Sequence, residues 1–157
     1  MTEKRISNVH VQGVPIKGAL DKLEFNGKMA NVVDYKTGKY DNAKPKLERP
    51  SAKQPNGGDY WRQAVFYKIL VDNDRTNDWQ AVSAEFDFVE PVKDVYKNEQ
   101  IVITPEDLQI VTEQITSVYA KIKKHEFSTG CGKTDCQWCT FVKENYRGNI
   151  LLEENEL

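Results

Sequence analysis

The sequence contains no long hydrophobic run and only three cysteines among its 157 residues. No apolar stretch approaches the ~20 residues that a membrane-spanning helix needs, and no apolar segment follows the polar N-terminal residues as it would in a signal peptide. The cysteines are too few and too closely spaced for the disulfide framework of a secreted domain. We therefore expect a chain without membrane contact that works in the reducing cytoplasm.

The composition excludes disorder, because 39% of the residues are hydrophobic and 29% are charged. A chain of this length can bury roughly 70% of the surface that its unfolded form exposes, so it can form a real core. We expect a single domain over residues 1–157, with a cysteine-containing tail over residues 126–157.

Positive charge is concentrated in the first half of the chain. The net formal charge is -2, but residues 17–68 carry +5 and residues 69–157 carry -8. A basic segment in an acidic protein indicates contact with a polyanion on one face. The alternative is that lysine-rich loops only favour solubility.

The first 36 residues predict three strands, at residues 8–14, 16–25 and 29–36. Asn26-Gly27 separates the last two and is a strong hairpin signal. Residues 38–58, rich in proline and lysine, read as a loop.

The rest of the chain predicts two helices, two strands and a short helical segment. A stripe of apolar residues predicts a helix over residues 59–72. Alternation predicts a strand over residues 79–90, ended by Pro91, and a short one over residues 100–103. Thr104 is then an N-cap for a helix that runs to about Lys124. One short helix is expected around residues 142–146. The order β-β-β-α-β-β-α predicts an α/β domain with a mixed central β-sheet flanked by helices.

Two carboxylates and a lysine occur on the strands of the predicted hairpin. Asp21 precedes the turn, and Asp34 and Lys36 follow it. Carboxylate oxygens suit Mg²⁺, which activates water and neutralises charge on a phosphate, and a lysine can orient the water or stabilise that charge. Taken alone, Asp34-Tyr35-Lys36 could equally be an exposed strand face with a cross-strand ion pair.

Three motifs together carry a more specific signal. Gly18-Ala-Leu-Asp21 is followed by Val33-Asp-Tyr-Lys-Thr-Gly38 and then by Gln63-x-x-x-Tyr67, whose two polar residues share one helix face. In this order they resemble the RecB-type nuclease domain of the PD-(D/E)XK superfamily. The resemblance implies a restriction-endonuclease-like core and hydrolysis of DNA phosphodiesters with Mg²⁺ or Mn²⁺ as cofactor. It favours an exonuclease over an endonuclease.

The resemblance also implies a role for each matching residue. Asp21 and Asp34 correspond to metal ligands, and the backbone carbonyl of Tyr35 adds a third oxygen. Lys36 corresponds to the catalytic lysine, while Gln63 and Tyr67 position the site and the DNA backbone.

One feature departs from the family. Members usually have a helix before the first of these strands, with an acidic or histidine residue that completes the metal site. Here the preceding residues read as strand and turn, and His10 is the one histidine among them. The chain therefore resembles a C-terminal piece of a larger helicase of the UvrD/Rep or AddAB/RecBCD kind, with helicase domains as partners. It has no Walker A motif of its own. The alternative is a catalytically incomplete DNA-binding or assembly module.

The three cysteines form a C-x4-C-x2-C cluster: Cys131, Cys136 and Cys139. Thiols at this spacing can converge on a metal. Some related nucleases close an iron–sulfur cluster with three C-terminal cysteines and one upstream cysteine, which the full-length parent would have to supply. A zinc site completed by His125 and three free thiols are the alternatives.

Basic residues follow the predicted active-site strand and are interleaved with Tyr40, Tyr60 and Trp61. Phosphate contacts and base stacking would suit single-stranded DNA, whereas the alternative is a mobile solvated loop. The candidate DNA-binding residues are Lys39, Lys44, Lys46, Arg49, Lys53 and Arg62. The sequence leaves open the polarity of cleavage, the strandedness of the substrate and the oligomeric state.

Overall fold

The computed structural model describes residues 1–126, 131 and 135–153, the last eight of these by their backbone alone. The chain divides into two compact units, Met1–Ile115 and Thr116–Leu157. The sheet and the motif residues lie in the first unit, and the cysteines lie in the second.

The first unit is built on one five-stranded sheet in the order β1-β2-β3-β4-β5. Its strands are β1 Thr2–Val11, β2 Val14–Asn26, β3 Met29–Lys36, β4 Gln80–Val92 and β5 Val95–Val102. The central pair β3–β4 is parallel and the other pairs are antiparallel. The expected α/β architecture with a mixed sheet is therefore confirmed.

The described residues form three α-helices besides the strands: α1 Asp59–Asp72, α2 Pro105–Lys123 and α3 Gln137–Glu153. Helix α1 lies in the crossover between the parallel strands β3 and β4, as such a connection requires. The loop before it contains two short 3-10 turns, Tyr40–Asn42 and Lys44–Leu47. Thr104 caps α2 as predicted, because its Oγ1 accepts the backbone N–H of Asp107 at 3.2 Å.

Two hairpins were not evident in the sequence. Gln12 and Gly13 join β1 to β2, and Lys93 and Asp94 join β4 to β5. All four have positive φ, between 47° and 80°. Two-residue turns of this handedness match the twist of paired strands, so they form even without an Asn-Gly signal.

Several predicted strands and helices were too short. Strand β4 continues through Pro91 to Val92 because the ladder to β5 is irregular there, so the missing N–H of proline breaks no regular pairing. Strand β5 starts at Val95 instead of residue 100. The sequence did not predict its first five residues as strand because they are exposed or polar and show no apolar alternation. Helix α3 spans Gln137–Glu153 instead of residues 142–146.

The core lies between the sheet and α1, with the first half of α2 packed against it. Trp61, Val65 and Leu70 of α1 are fully buried, as the apolar stripe predicts. Gly18 of β2 allows this close approach, because a Cβ on it would lie 2.8 Å from Cδ2 of Leu70. The glycine of the Gly18-Ala-Leu-Asp21 motif thus has a packing reason.

No helix in the described part of the chain is both long and apolar enough to cross a membrane.

Candidate active site

Strand β3 and helix α1 bring four of the predicted residues together. Asp34 and Lys36 are two positions apart on β3 and therefore point to the same side of the sheet, toward α1. Gln63 and Tyr67 are four positions apart on α1, so they lie one above the other on the helix face that meets the strand.

Asp34 is the centre of this cluster. Its carboxylate is only 5% exposed. Oδ1 accepts the hydroxyl of Tyr67 at 2.6 Å and the side-chain amide of Gln63 at 3.2 Å. Oδ2 pairs with the Lys36 ammonium at 2.6 Å. A carboxylate buried this deeply needs partners, and both oxygens of Asp34 have them.

Gln63 connects the two charged residues. Its amide nitrogen donates to the Tyr67 hydroxyl at 2.6 Å, and its Oε1 accepts from Lys36 Nζ at 2.6 Å. The amide therefore uses both ends to hold Asp34, Lys36 and Tyr67 in one arrangement. Across the described residues, no buried side-chain nitrogen or oxygen lacks a partner.

The pKa of the Tyr67 hydroxyl is raised well above its usual value. Burial is the largest cause, and the hydrogen bond to the Asp34 carboxylate adds to it. The charge of Asp21 contributes in the same direction. A raised pKa keeps the Tyr67 hydroxyl a donor to Asp34, which suits a positioning role.

Asp21 lies at the point where β2 and β3 part. It is exposed, and its Oδ2 accepts the backbone N–H of Tyr35 at 3.0 Å. The backbone of the Asp34-Tyr35 pair is thereby tied to Asp21. The Tyr35 side chain points to the other face of the sheet, where it lines a surface cavity with Asp87 and Tyr96.

The donors predicted for a metal at this site are of the type that suits a hard divalent cation. Asp21, Asp34 and the Tyr35 carbonyl provide oxygen alone, which Mg²⁺ and Mn²⁺ prefer over nitrogen or sulfur. Within the described residues, no third carboxylate or imidazole joins Asp21 and Asp34 in one group. His10 is exposed on β1 and pairs with Pro15, six residues along β2 from Asp21 and so roughly 20 Å away.

The candidate DNA-binding residues are in different situations. Lys39 and Lys53 are exposed, and Lys44 is paired with Asp41 on the surface. The ammonium of Lys46 lies 5.1 Å from the centre of the Tyr60 ring.

The two arginines of that set are held by the protein itself. Arg49 pairs with Asp107 through two bonds of 2.8 and 2.9 Å. Arg62 donates to the carbonyls of Asn56 and Gly57 at 3.2 Å. Their first contribution is to fix the loop against α1 and α2.

Asp107 is the anchor of that loop and carried no signal in the sequence beyond its place in the first turn of α2. It is 2% exposed, and its Oδ1 also accepts the indole N–H of Trp61 at 3.1 Å. Burial alone would raise its pKa, but the bonds from Arg49 and Thr104 outweigh it and lower the pKa to about 2.

Of the aromatic residues interleaved with the basic ones, Trp61 is not available for base stacking, because it is fully buried and bonded to Asp107. The apolar stripe of α1 correctly predicts the burial of Trp61. Tyr40 packs edge-on against Phe88 and donates its hydroxyl to Glu99.

The three cysteines of the second unit converge. Their Sγ atoms all lie within 4.8 Å of one another, and those of Cys131 and Cys139 are 3.4 Å apart. A tetrahedral zinc with Zn–S bonds near 2.3 Å places its sulfurs about 3.8 Å apart, so the spacing suits a thiolate-bound metal. His125 does not belong to the group in the part of the chain that is described.

The thiols also affect one another electrostatically. Hydrogen bonds from the Cys139 backbone and the Cys131 thiol lower the pKa of Cys136 to about 7. A thiolate is the form that binds metals and reacts with electrophiles.

Comparison with known proteins identifies the family of the chain. The family model of the PD-(D/E)XK nuclease superfamily matches residues 2–143, and the chain belongs to that superfamily. No curated protein matches the sequence.

Two solved structures resemble the fold. One is SSO0001, 17% identical with a TM-score of 0.52, and the match covers 90% of this chain and 57% of that one. The other is described as a candidate exonuclease from Eubacterium rectale, 12% identical with a TM-score of 0.53, covering 90% of this chain and 51% of that one. The chain thus spans little more than half the length of either protein.

Proposed function

We propose that the chain is a deoxyribonuclease domain that hydrolyses DNA phosphodiesters with Mg²⁺ or Mn²⁺, most simply as an exonuclease. The observation that carries the proposal is the bonded cluster of Asp34, Lys36, Gln63 and Tyr67 beside Asp21. Membership of a nuclease superfamily and the likeness to a candidate exonuclease support it.

Each residue has a distinct task in this proposal. Asp21, Asp34 and the Tyr35 carbonyl hold the cation, which when bound lowers the pKa of a water and neutralises charge on the phosphate. Lys36 has three N–H groups, of which Asp34 and Gln63 take two. The third can donate to a phosphate oxygen and stabilise the charge that develops there.

The remaining residues keep this geometry fixed. Gln63 orients the Lys36 ammonium, and the Tyr67 hydroxyl fixes the Asp34 carboxylate. The exposed Lys39 and Lys53 can contact the DNA backbone farther from the cleaved bond.

The test is cleavage of end-labelled single- and double-stranded DNA with Mg²⁺ or Mn²⁺ by the wild-type protein, Asp34→Asn and Lys36→Met. Lys28→Met is the matched control, because Lys28 is an exposed lysine paired with Asp78. We expect cleavage by wild type and Lys28→Met only, and the product lengths separate exonuclease from endonuclease.

Metal binding is measured on the same proteins. We expect Mn²⁺ to raise the melting temperature of wild type and of Lys36→Met but not of Asp34→Asn, because a ligand that binds the folded state stabilises it. DNA binding without cleavage by the wild-type protein would support the non-catalytic module instead. The observation favouring that second candidate is the absence of a third metal-ligating side chain among the described residues.

We further propose that the domain acts with helicase domains, as the RecB-type motifs suggest. Cleavage of duplex DNA that depends on an added ATP-driven helicase, alongside helicase-independent cleavage of single strands, would support this. Equal cleavage of both substrates without a helicase would contradict it.

We also propose that the three thiols bind iron–sulfur or zinc with a fourth ligand from elsewhere. Purification without chelator, followed by absorbance near 400 nm and metal analysis, distinguishes the two metals. Absence of both metals after anaerobic purification would leave three free thiols as the answer.

A further inference from the structure

A tyrosine outside the three motifs faces the lysine of the candidate active site. Tyr60 is the second residue of α1 and is half-buried. Its ring centre lies 4.5 Å from Lys36 Nζ. The ring stacks on Phe86 of β4 at 5.3 Å with an interplanar angle of 29°, and the Phe86 ring centre is itself 5.1 Å from Lys36 Nζ.

The Lys36 ammonium therefore has two kinds of partner. Asp34 and Gln63 accept two of its N–H groups. Two aromatic rings also lie within the distance at which a ring attracts a cation. With two acceptors alone, the ammonium could still pivot about them. The rings limit that motion and leave the third N–H of Lys36 available for a phosphate oxygen.

The same ring contacts a second lysine. Lys46 Nζ lies 5.1 Å from the Tyr60 ring centre. The backbone of Lys46 is tightly fixed against the start of α1, since a Cβ on Gly58 would lie 2.1 Å from the Lys46 carbonyl oxygen. The Tyr60 ring thus contacts both Lys46 of the loop and Lys36 of strand β3.

We infer that Tyr60 is a positioning residue for Lys36, fixing its ammonium through the face of its ring. This inference rests on the proposed nuclease function, because it assigns to Tyr60 a task within that site. The inference goes beyond the motif residues, because Tyr60 belongs to none of the three motifs and its described contact with the site is with Lys36.

The test compares ring removal with ring retention. In Tyr60→Leu we expect kcat for DNA cleavage to fall roughly 3- to 30-fold, the range of cation–π interactions, with KM and the Mn²⁺-induced melting shift little changed. Tyr60→Phe keeps the ring and should restore kcat to within about twofold of wild type. Tyr96→Leu is the matched control, because Tyr96 is 71% exposed and lies on the opposite face of the sheet from Lys36.

A second series avoids any effect of Tyr60→Leu on folding. Phenylalanines carrying one, two and three fluorines at position 60 keep the shape of the ring but weaken its attraction for cations stepwise. We expect kcat to fall stepwise across the series. A kcat that is unchanged across it, or a loss confined to KM, overturns the positioning role.

The outcome is separable from that of the proposed function. If wild-type protein does not cleave DNA, or if Asp34→Asn cleaves equally well, the nuclease assignment fails. Lys36 then has no catalytic task for which Tyr60 could position it. If cleavage depends on Asp34 and Lys36 but not on the ring at position 60, only the inference about Tyr60 fails.

Discussion

The oxygen-rich cluster on β3 and α1 and the cysteine cluster at the start of α3 are organised in opposite ways. Asp34 is 5% exposed and its two oxygens have three partners in the protein. Cys131 is exposed, the other two cysteines are half-exposed, and their contacts are with one another. The first cluster is pre-organised by a folded core, whereas in the second an exposed thiol contacts a neighbouring thiol.

This difference teaches what a metal would do at each place. A cation at Asp21 and Asp34 meets one carboxylate, that of Asp34, which is buried and already held by three partners, so it adds chemistry more than structure. A metal at the exposed thiols would link Cys131 to the start of α3, so it would add local stability as well as chemistry.

The largest effect expected from breaking the comparison is at Asp34. Asp34→Asn removes the central carboxylate and should lower DNA cleavage at least about 1000-fold, corresponding to roughly 4 kcal/mol of lost transition-state stabilisation. Cleavage under single-turnover conditions measures it, and Asp78→Asn, at an exposed aspartate, is the control. A loss below tenfold would contradict a metal-binding role for Asp34.

The next effect is on stability, at the buried carboxylate outside the site. Asp107→Asn weakens the bonds to Arg49 and Trp61 and should lower the free energy of unfolding by about 2–4 kcal/mol. Urea unfolding at pH 7 measures this loss.

The same variant gives a pH dependence. The pKa of Asp107 is lowered to about 2 in the folded state, against about 3.9 in an unfolded chain. Its contribution is therefore present above about pH 4 and is lost as the pH falls toward 2. The stability difference between wild type and Asp107→Asn should shrink over that interval, and a constant difference would contradict the assignment.

A smaller effect is expected at Tyr67. Tyr67→Phe removes the hydroxyl that binds Asp34 and should cost about 1–2 kcal/mol of stability and at most about tenfold in kcat. The exposed Tyr96→Phe controls for loss of a hydroxyl as such. A kcat loss as large as that of Asp34→Asn would give Tyr67 a direct part in the chemistry.

The smallest effect sharpens the other side of the comparison. Because the pKa of Cys136 is lowered to about 7, its alkylation by iodoacetamide at pH 7 should be a few-fold faster than that of an ordinary exposed cysteine. Mass spectrometry after short exposure measures the rate at each cysteine. Equal rates at Cys136 and Cys131 would contradict the polarised arrangement of the thiols.

The sequence alone determined the features that depend on neighbours along the chain. The hairpin at Asn26-Gly27, the apolar stripe of α1 and the Thr104 cap follow from turn chemistry and periodicity within a few residues. The spacing of Asp34 and Lys36, and of Gln63 and Tyr67, fixed which pairs share a face. Those pairs meet because β3 and α1 are joined as predicted.

Only the tertiary structure decided which distant groups become partners. Arg49 and Trp61 were candidates for DNA contact, but Asp107, 58 and 46 residues away, takes both of them. Tyr60 meets Lys36 only because α1 packs on β3 and β4. A buried carboxylate must be paired wherever the fold places it, and no local pattern states which side chain will be near enough to do so.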